Sequence, residues 1–254
     1  MLCKVIIPFK SERKLKYGYI TSSVMHGILM GTISSTHADN LHQQSLRPFS
    51  QFSYYDNGEN FWCISVLGEE NYEKIIPPVL ALDSVAVKQK KDVIFFGKPQ
   101  LSIRTYEQLL NDNMVSGGRS DVMRLDFITP TAFKTAGKYN ILPTSRLIFL
   151  SLAKRFDFFC GIDNNDYDFL SQEIEKNISV SDYSLSSSSF SLEGIRIPSF
   201  IGHIIFRISG DEKFRSYISL LCDFAEYSGI GIKTALGMGH IITEYNPKKA
   251  TLHR

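Results

Sequence analysis

The sequence predicts an α+β fold in which one element order, β-α-β-β-α-β, occurs twice in succession. Strand-like apolar runs alternate with amphipathic segments of helical period, and 254 residues accommodate two units of roughly 100–130 residues. Hydrophobic residues make up 43% of the chain and charged residues 21%, which is enough apolar material to bury a core. Because this order defines the ferredoxin-like motif, we expect two tandem ferredoxin-like (RRM-like) domains.

The first half supplies the first copy of that order. A strand rich in Val and Ile precedes a helix that Ser22 or Ser23 would cap. An Asp-Asn-Gly turn at 56–58 predicts a hairpin, and Pro77 with Pro78 is expected to end the next helix. The predicted elements are a strand at Lys4–Phe9, helices at 21–33 and 36–44, strands at 49–55 and 60–67, a helix at 69–76, and strands at 92–96 and 101–106.

The second half repeats the order after a polar, glycine-bearing stretch, NDNMVSGGRSD at 111–121. We interpret residues 112–121 as a linker between domains at 1–111 and 122–254. The predicted elements are a strand at 122–129, a helix at 144–159, an inserted acidic helix at 166–177, strands at 181–192 and 200–209, a helix at 211–227 and a last strand at 240–245.

Cysteine usage and hydropathy indicate a reducing, aqueous compartment. The four cysteines, Cys3, Cys63, Cys160 and Cys222, form no CxxC pair, which argues against a zinc ribbon and a disulfide framework. No apolar run approaches the roughly 18–20 residues of a membrane span, and the N-terminal apolar segment is too short for a signal peptide. We therefore expect a cytoplasmic protein with free thiols, no bound metal and no membrane partner.

The net charge of +2 does not by itself indicate a nucleic-acid partner, but the charges are unevenly distributed. Residues 1–20 carry five Lys/Arg and one Glu, whereas residues 157–182 carry seven acids and one Lys. The sequence therefore predicts a basic side and an acidic side.

The segment Gly229–Gly239 (GIGIKTALGMG) has four glycines in eleven residues between a helix and the last strand. A helix cap and a tight turn would need fewer. Such a loop lets backbone N–H groups approach a phosphate, and Lys233 adds a cation. Two nucleotide-binding motifs fail, because Walker A requires glycine where Ile232 stands and GxGxxG requires it where Thr234 stands. A mononucleotide or dinucleotide site is therefore disfavoured.

The sequence here resembles a known family, the CRISPR-associated repeat-processing endoribonucleases, which are the sixth of the Cas proteins and belong to the repeat-associated RAMP group. The resemblance covers nearly the whole chain and is strongest to members that accompany type III-A systems. Its motifs are SVMHGILM (23–30), ADNLHQQ (38–44), TPTAFK (129–134), ILPTSRLIFLSL (141–152), RIPSFIGHIIFRISG (196–210) and SGIGIKTALGMG (228–239).

The resemblance implies an enzyme that cleaves precursor CRISPR RNA within its repeats without a metal ion or another cofactor. A 2′-hydroxyl would attack the adjacent phosphate and leave a 2′,3′-cyclic phosphate and a 5′-hydroxyl. The implied partner is CRISPR repeat RNA and its crRNA product; a type III-A effector complex and a homodimer are further partners left open. The alternative is a non-catalytic RNA-binding subunit of a CRISPR effector complex, since the related backbone proteins share the fold and glycine loops.

Histidine suits the proton transfers of this reaction because its pKa of ~6.5 populates both forms near neutrality. His42 is the first candidate, because the resemblance places the catalytic histidine in the ADNLHQQ segment. Asp39, three residues earlier, would share a helix face with His42 and orient its ring. Arg47 falls near the position of a family lysine, where it can hold the phosphate but cannot act as a general acid. His26 is assigned either to the core or to a supporting role.

RNA contacts are assigned to the glycine loop and to one neighbouring segment. The candidates are Gly229, Gly231, Lys233, Thr234, Gly237 and Gly239 from the loop and Lys134 from the TPTAFK segment. Met30 stands where variants of the family carry a tyrosine, so the second proton-transfer group is left open.

Overall fold

The computed structural model describes residues 1–114, 121–162, 166–192 and 194–247 and shows the predicted element order twice. Each copy builds its own antiparallel sheet. In both sheets the two central strands are the ones that come first and third in the β-α-β-β-α-β order, which is the arrangement of a ferredoxin-like domain. The predicted α+β class with two tandem ferredoxin-like units is confirmed.

Residues 1–114 form the first copy and include additional short elements. Its elements are β1 (Leu2–Ser11), α1 (Ser22–Thr32), α2 (Ser35–Gln43), β2 (Phe49–Asp56), β3 (Glu59–Leu67), α3 (Glu69–Leu80), β4 (Ser84–Val87), β5 (Asp92–Phe96), β6 (Gln100–Arg104) and α4 (Tyr106–Met114). The strand order is β2-β3-β1-β5-β4, and β6 pairs with the part of β1 that β5 leaves free. The predicted hairpin β2–β3 is confirmed, with positive φ at both Asn57 and Gly58.

Residues from 121 onward form the second copy. Its elements are β7 (Val122–Thr131), β8 (Phe133–Thr135), β9 (Lys138–Asn140), α5 (Ser145–Cys160), α6 (Tyr167–Asn177), β10 (Ile178–Leu192), β11 (Ile195–Ile208), α7 (Glu212–Ser228) and β12 (Ile241–Tyr245). The strand order is β10-β11-β7-β12, and β8 pairs with β9 in a separate hairpin. The β10–β11 hairpin is longer than predicted, since its strands pair from Ile178 to Leu192 and from Ile195 to Ile208.

Short elements are the ones that the sequence pattern misses. β4 has four residues and β8 and β9 have three each, too few for an alternating pattern to be recognised. The prediction that a strand runs through Tyr106 is wrong, because this residue begins α4. The backbone N–H of Gln108 donates to Thr105 Oγ1 at 2.9 Å and the Thr105 N–H donates to Gln108 Oε1 at 2.8 Å, which is a capping box.

The prediction that Pro77 and Pro78 end the third helix is also wrong, since α3 continues to Leu80. A proline lacks the N–H that would bond to the carbonyl four residues earlier. The carbonyls concerned belong to Glu73 and Lys74, which are exposed, so water can replace the missing donors. Burial of the apolar side chains on the other face then keeps the last turn helical.

The first residues of the predicted linker are helical. α4 extends to Met114, so residues 112–114 are helical. Asn113, which is buried, donates a hydrogen bond to Asp223 of α7 at 3.0 Å, and α4 therefore packs against the second copy. The remaining linker residues 115–120 lie outside the described part of the chain.

The thiols are uncharged and unpaired. Cys3, Cys63 and Cys222 are buried, and burial raises the pKa of Cys3 to about 12 and that of Cys63 to about 11. Within the described ranges, no three His, Cys, Asp or Glu side chains lie close enough together to hold a metal ion. No helix in those ranges is long and apolar enough to cross a membrane.

The glycine loop, Gly229–Gly239, joins the two copies through a buried side chain of β2. Gln51 is 2% exposed; its Nε2 donates to the carbonyl oxygens of Ser22 at 2.9 Å and Ala235 at 3.1 Å, and its Oε1 accepts from Trp62 Nε1 at 2.9 Å. Ala235 itself packs in the apolar core of the first copy. The loop of the second copy is thus part of the interior of the first, and we call this contact region the junction.

The first residues of α1 contact the junction and do not cap the helix. Thr21 is the N-cap, and neither Ser22 nor Ser23 caps the helix as predicted. Instead the buried Ser22 Oγ accepts a hydrogen bond from the backbone N–H of Ser53 at 2.9 Å, which ties α1 to β2. Gly237 packs directly on Ser22 with φ +106°, and a Cβ on this glycine would overlap the Ser22 Cβ.

We expect Gly237→Ala to lower the melting temperature by several degrees, because alanine is strained at this φ and would separate the loop from α1. Gly27→Ala is the matched control, since Gly27 lies inside α1 with nothing within 4 Å of its Cβ position. That change should stabilise the protein slightly by improving helix propensity. Thermal unfolding followed by circular dichroism measures both variants. If Gly237→Ala had the same melting temperature as wild type, the role of Gly237 would be contradicted.

Candidate functional site

Four segments bring candidate side chains together at the junction. α1 carries His26, the last turn of α2 carries His42, the turn before β2 carries Arg47, and the glycine loop carries Lys233. The first three were expected to act together, and the structure places them side by side. The loop lies next to them because the Gln51 hydrogen bonds hold it there.

His42 is exposed, and two neighbours fix its ring. The ring lies edge-on to His26, with centroids 6.4 Å apart, and Arg47 Nη2 donates to His42 Nδ1 at 3.4 Å. Because arginine has donors and no acceptor, Nδ1 must be the acceptor in this contact. The neutral ring therefore carries its proton on Nε2.

His26 lies behind His42 and is 8% exposed. Its ring stacks on Phe49 with centroids 6.0 Å apart, and a ring N–H donates to the Ala235 carbonyl, while Nδ1 has no hydrogen-bond partner among the described residues. Burial lowers the pKa of His26 to about 4, with smaller contributions from the charges of Arg47 and His42. His26 is thus a neutral, buried ring that links α1 to the glycine loop.

Asp39 does not orient His42, contrary to the expectation from their spacing. Both residues are exposed, but no hydrogen bond or ion pair between described residues joins them, and Arg47 holds the ring instead. The contact with His26 turns the His42 ring toward α1. His37 lies elsewhere on α2, as predicted, and its burial lowers its pKa.

A cavity of about 180 Å³ lies between Arg47 and the glycine loop. Arg47, Arg155 and Lys233 line it together with the polar residues Gln44, Ser45 and Thr234, and no carboxylate is among its lining residues. Three cations around a small polar space without an acid favour an anion such as a phosphate group. The cavity therefore gives the exposed His42 a neighbouring site for a phosphate.

Sequence reasoning missed Arg155, which lies beneath the loop. Its guanidinium donates to the carbonyl oxygens of Ser228 at 2.6 Å and Gly231 at 3.0 Å and to Thr234 Oγ1 at 3.0 Å. It forms no ion pair with a described carboxylate, and burial lowers its pKa to about 10. The available signal is an arginine at helical spacing from the apolar residues Leu152 and Phe159.

The loop glycines are needed first for packing within the protein. The N–H groups of Gly229, Gly237 and Gly239 donate to carbonyls of the protein, and a Cβ on Gly231 would overlap the carbonyl oxygen of Ala132. Lys233 is exposed and lines the small cavity, whereas Thr234 is buried and accepts from Arg155. Cations, rather than these three backbone N–H groups, face the cavity.

Lys134, the remaining predicted RNA contact, lies on β8 and does not line the small cavity. Its Nζ is 5.8 Å from the centroid of the Tyr139 ring, and the side chain borders a second, larger cavity. The predicted RNA-binding residues therefore border two different cavities.

Comparison with known proteins places these features in a family. Residues 125–241 match the sequence profile described as CRISPR-associated endoribonuclease Cas6. The chain is 31% identical over 229 residues to the CRISPR-associated endoribonuclease Cas6 of Streptococcus thermophilus, which covers 86% of this chain and 89% of that protein. A Mycobacterium tuberculosis protein with the same description is 31% identical over 222 residues, with coverage of 85% and 69%.

The three-dimensional comparison agrees with these matches. A solved structure described as a Cas6 product complex has a TM-score of 0.80 against this chain at 20% sequence identity. The alignment covers 96% of this chain and 99% of that one. At that identity the match shows a shared fold.

We expect the stability of the protein to fall as the pH drops from about 6.5 toward 4. In the unfolded chain His26 binds a proton at its ordinary pKa, whereas the folded protein holds it neutral until about pH 4, so acid favours unfolding. A shift of this size corresponds to about 3 kcal/mol. His240, whose pKa burial and Lys4 lower to about 3, acts in the same direction.

Urea unfolding of wild type, His26→Gln and His203→Gln at several pH values measures this effect. The His26→Gln protein should lose less stability between pH 6.5 and 4 than wild type. His203→Gln removes a histidine of β11 outside the junction. Its unfolding free energy should change with pH as that of wild type does. If the unfolding free energy of His26→Gln changed with pH as much as that of wild type, the burial of a neutral ring would be contradicted.

Proposed function

Since the chain belongs to the Cas6 family of CRISPR-associated endoribonucleases, we propose that it cleaves precursor CRISPR RNA within its repeats by attack of a 2′-hydroxyl. The observation that carries the proposal is the exposed His42 ring beside a carboxylate-free cavity lined by Arg47, Arg155 and Lys233. Such a site suits a substrate that brings its own nucleophile and needs a proton acceptor and positive charge.

The chemistry requires few groups from the protein. The 2′-oxygen forms a bond to phosphorus, the bond between phosphorus and the 5′-oxygen breaks, and the products are a 2′,3′-cyclic phosphate and a 5′-hydroxyl. His42 accepts the proton of the 2′-hydroxyl, and water supplies a proton to the departing 5′-oxygen. Negative charge gathers on the phosphate oxygens, where Arg47 and Lys233 stabilise it.

Arg47 links substrate binding to the histidine. In the free protein its Nη2 donates to His42 Nδ1 at 3.4 Å, which is long for a hydrogen bond. A phosphate in the cavity is a stronger acceptor than the ring nitrogen, so the guanidinium turns to the phosphate. His42 Nδ1 then becomes available as the base.

His26 acts as a positioning residue in this proposal. Its burial and its low pKa argue against direct contact with the RNA and against proton donation near neutrality. Through the Ala235 carbonyl and the edge-on contact with His42, it sets the distance between the loop cations and the base. The type III-A effector complex and the homodimer stay predictions of the sequence.

Cleavage of the repeat RNA of the source locus should persist in excess EDTA, because intramolecular attack needs no metal-bound water. The same RNA with 2′-deoxyribose at the cleaved nucleotide should bind but stay intact. Gel analysis of products, with enzymatic identification of their end groups, measures both. Cleavage of the deoxy RNA would overturn the mechanism, and tight binding without any cleavage would favour the RNA-binding subunit.

His42→Ala should lower the single-turnover cleavage rate by about 10²–10⁴, the usual worth of positioned proton transfer. Affinity for the uncleavable RNA should change little, because a neutral ring contributes little to phosphate binding. His26→Ala should mainly lower the melting temperature, and His203→Ala, outside the site, should match wild type in rate. If His42→Ala cleaves at the wild-type rate while folded His26→Ala is inactive, the base is His26.

A further inference from the structure

A cavity of about 560 Å³ lies between β8, α5 and the first residues of the glycine loop. Its size is within the range of small-molecule sites, roughly 300–1,000 Å³. Its apolar wall includes Leu46, Phe133, Leu147, Leu150, Ile230 and Ile232. Arg155 lines both this cavity and the small cavity beside Arg47.

Cations surround the opening of the larger cavity. Lys134, Arg146 and Lys154 are exposed and line it, and no Asp or Glu is among the lining residues. Arg146 is 3.6 Å from Glu175, so its charge is partly compensated. Lys134 and Lys154 form no ion pair with a described residue, and their Nζ atoms lie over aromatic rings.

An apolar wall with a cationic rim is complementary to a ligand that has a flat apolar face and an attached anion. A nucleotide has both, whereas a fully paired base hides its faces in the stack. We infer that this cavity binds one unpaired nucleotide of the repeat RNA, with its base on the apolar wall and its phosphate at Lys134 and Lys154. The inference rests on the proposed function, since it assigns a second contact to the same RNA.

The two cavities adjoin at Arg155, which lines both of them, and this sets a spacing. Gly229, Ile230 and Gly231 line the larger cavity, and Thr234 with Ala235 lines the smaller one. An RNA strand that occupies both cavities spans a set distance, so the number of nucleotides between the bound base and the cleaved phosphate is fixed. The larger cavity would therefore select which phosphate reaches His42.

The test is a scan in which each unpaired nucleotide of an uncleavable repeat RNA is made abasic in turn. For wild type, one position should weaken binding by roughly fivefold, the lower end of what a base stacked on an aromatic ring contributes, because Phe133 is the one aromatic residue that lines the cavity. Ser151→Trp and Thr135→Trp fill the cavity from opposite walls and should weaken binding of the intact RNA similarly. Neither filled variant should respond further to the abasic position.

Two controls separate filling from other effects. Ser151→Ala leaves the cavity open and should behave as wild type, as should Asn111→Trp, which adds the same side chain at an exposed position of α4. Thr135 lies in the exposed β8–β9 hairpin, so its variant tests the inference even if Ser151→Trp does not fold.

The outcomes distinguish the subsite from the activity. If the RNA is bound and cleaved but no abasic position matters, or if both filled variants bind like wild type, the cavity does not hold a base and the inference is overturned. If the protein binds no repeat RNA at all, both the proposed function and the inference are overturned. One sensitive position that becomes insensitive in the filled variants supports the inference.

Discussion

The hydrogen bonds of the Gln51 side-chain amide hold the two halves of the molecule in register. One buried amide accepts from Trp62 in its own sheet and donates to carbonyls of α1 and of the glycine loop. A buried amide that loses a partner leaves an unsatisfied polar group, which costs about 1–3 kcal/mol. The two copies are thus held in one relative arrangement by a bond pattern that tolerates little change, and not by apolar contact alone.

The positions of His26 and His42 depend on that arrangement. The Ala235 carbonyl that accepts from Gln51 also accepts from His26, and His26 in turn contacts His42. The positive charge comes from the other side of the junction, through Arg155 and Lys233. Neither copy contains the whole candidate site, because His42 and Arg47 belong to the first copy and Arg155 and Lys233 to the second.

The sequence predicts the larger features of this arrangement well, because long periodic helices and strands carry strong patterns. It predicts poorly where tertiary contacts decide. Pro77 and Pro78 lie inside a helix held by its buried face, and Ser22 accepts a bond from β2 instead of capping α1. Arg155 and Gln51 carry no motif, since their partners are carbonyls that any sequence supplies.

The Gln51–Ala235 bond has a consequence for when the protein becomes functional. It joins residues 184 positions apart, so the contact has a high loop-closure cost and can form only after almost the entire chain exists. While the chain is being synthesised, the first copy can fold around a core that still lacks Ala235. His42 would then be present on the ribosome without the loop cations. A nascent or truncated chain would accordingly carry His42 and Arg47 but lack Arg155 and Lys233.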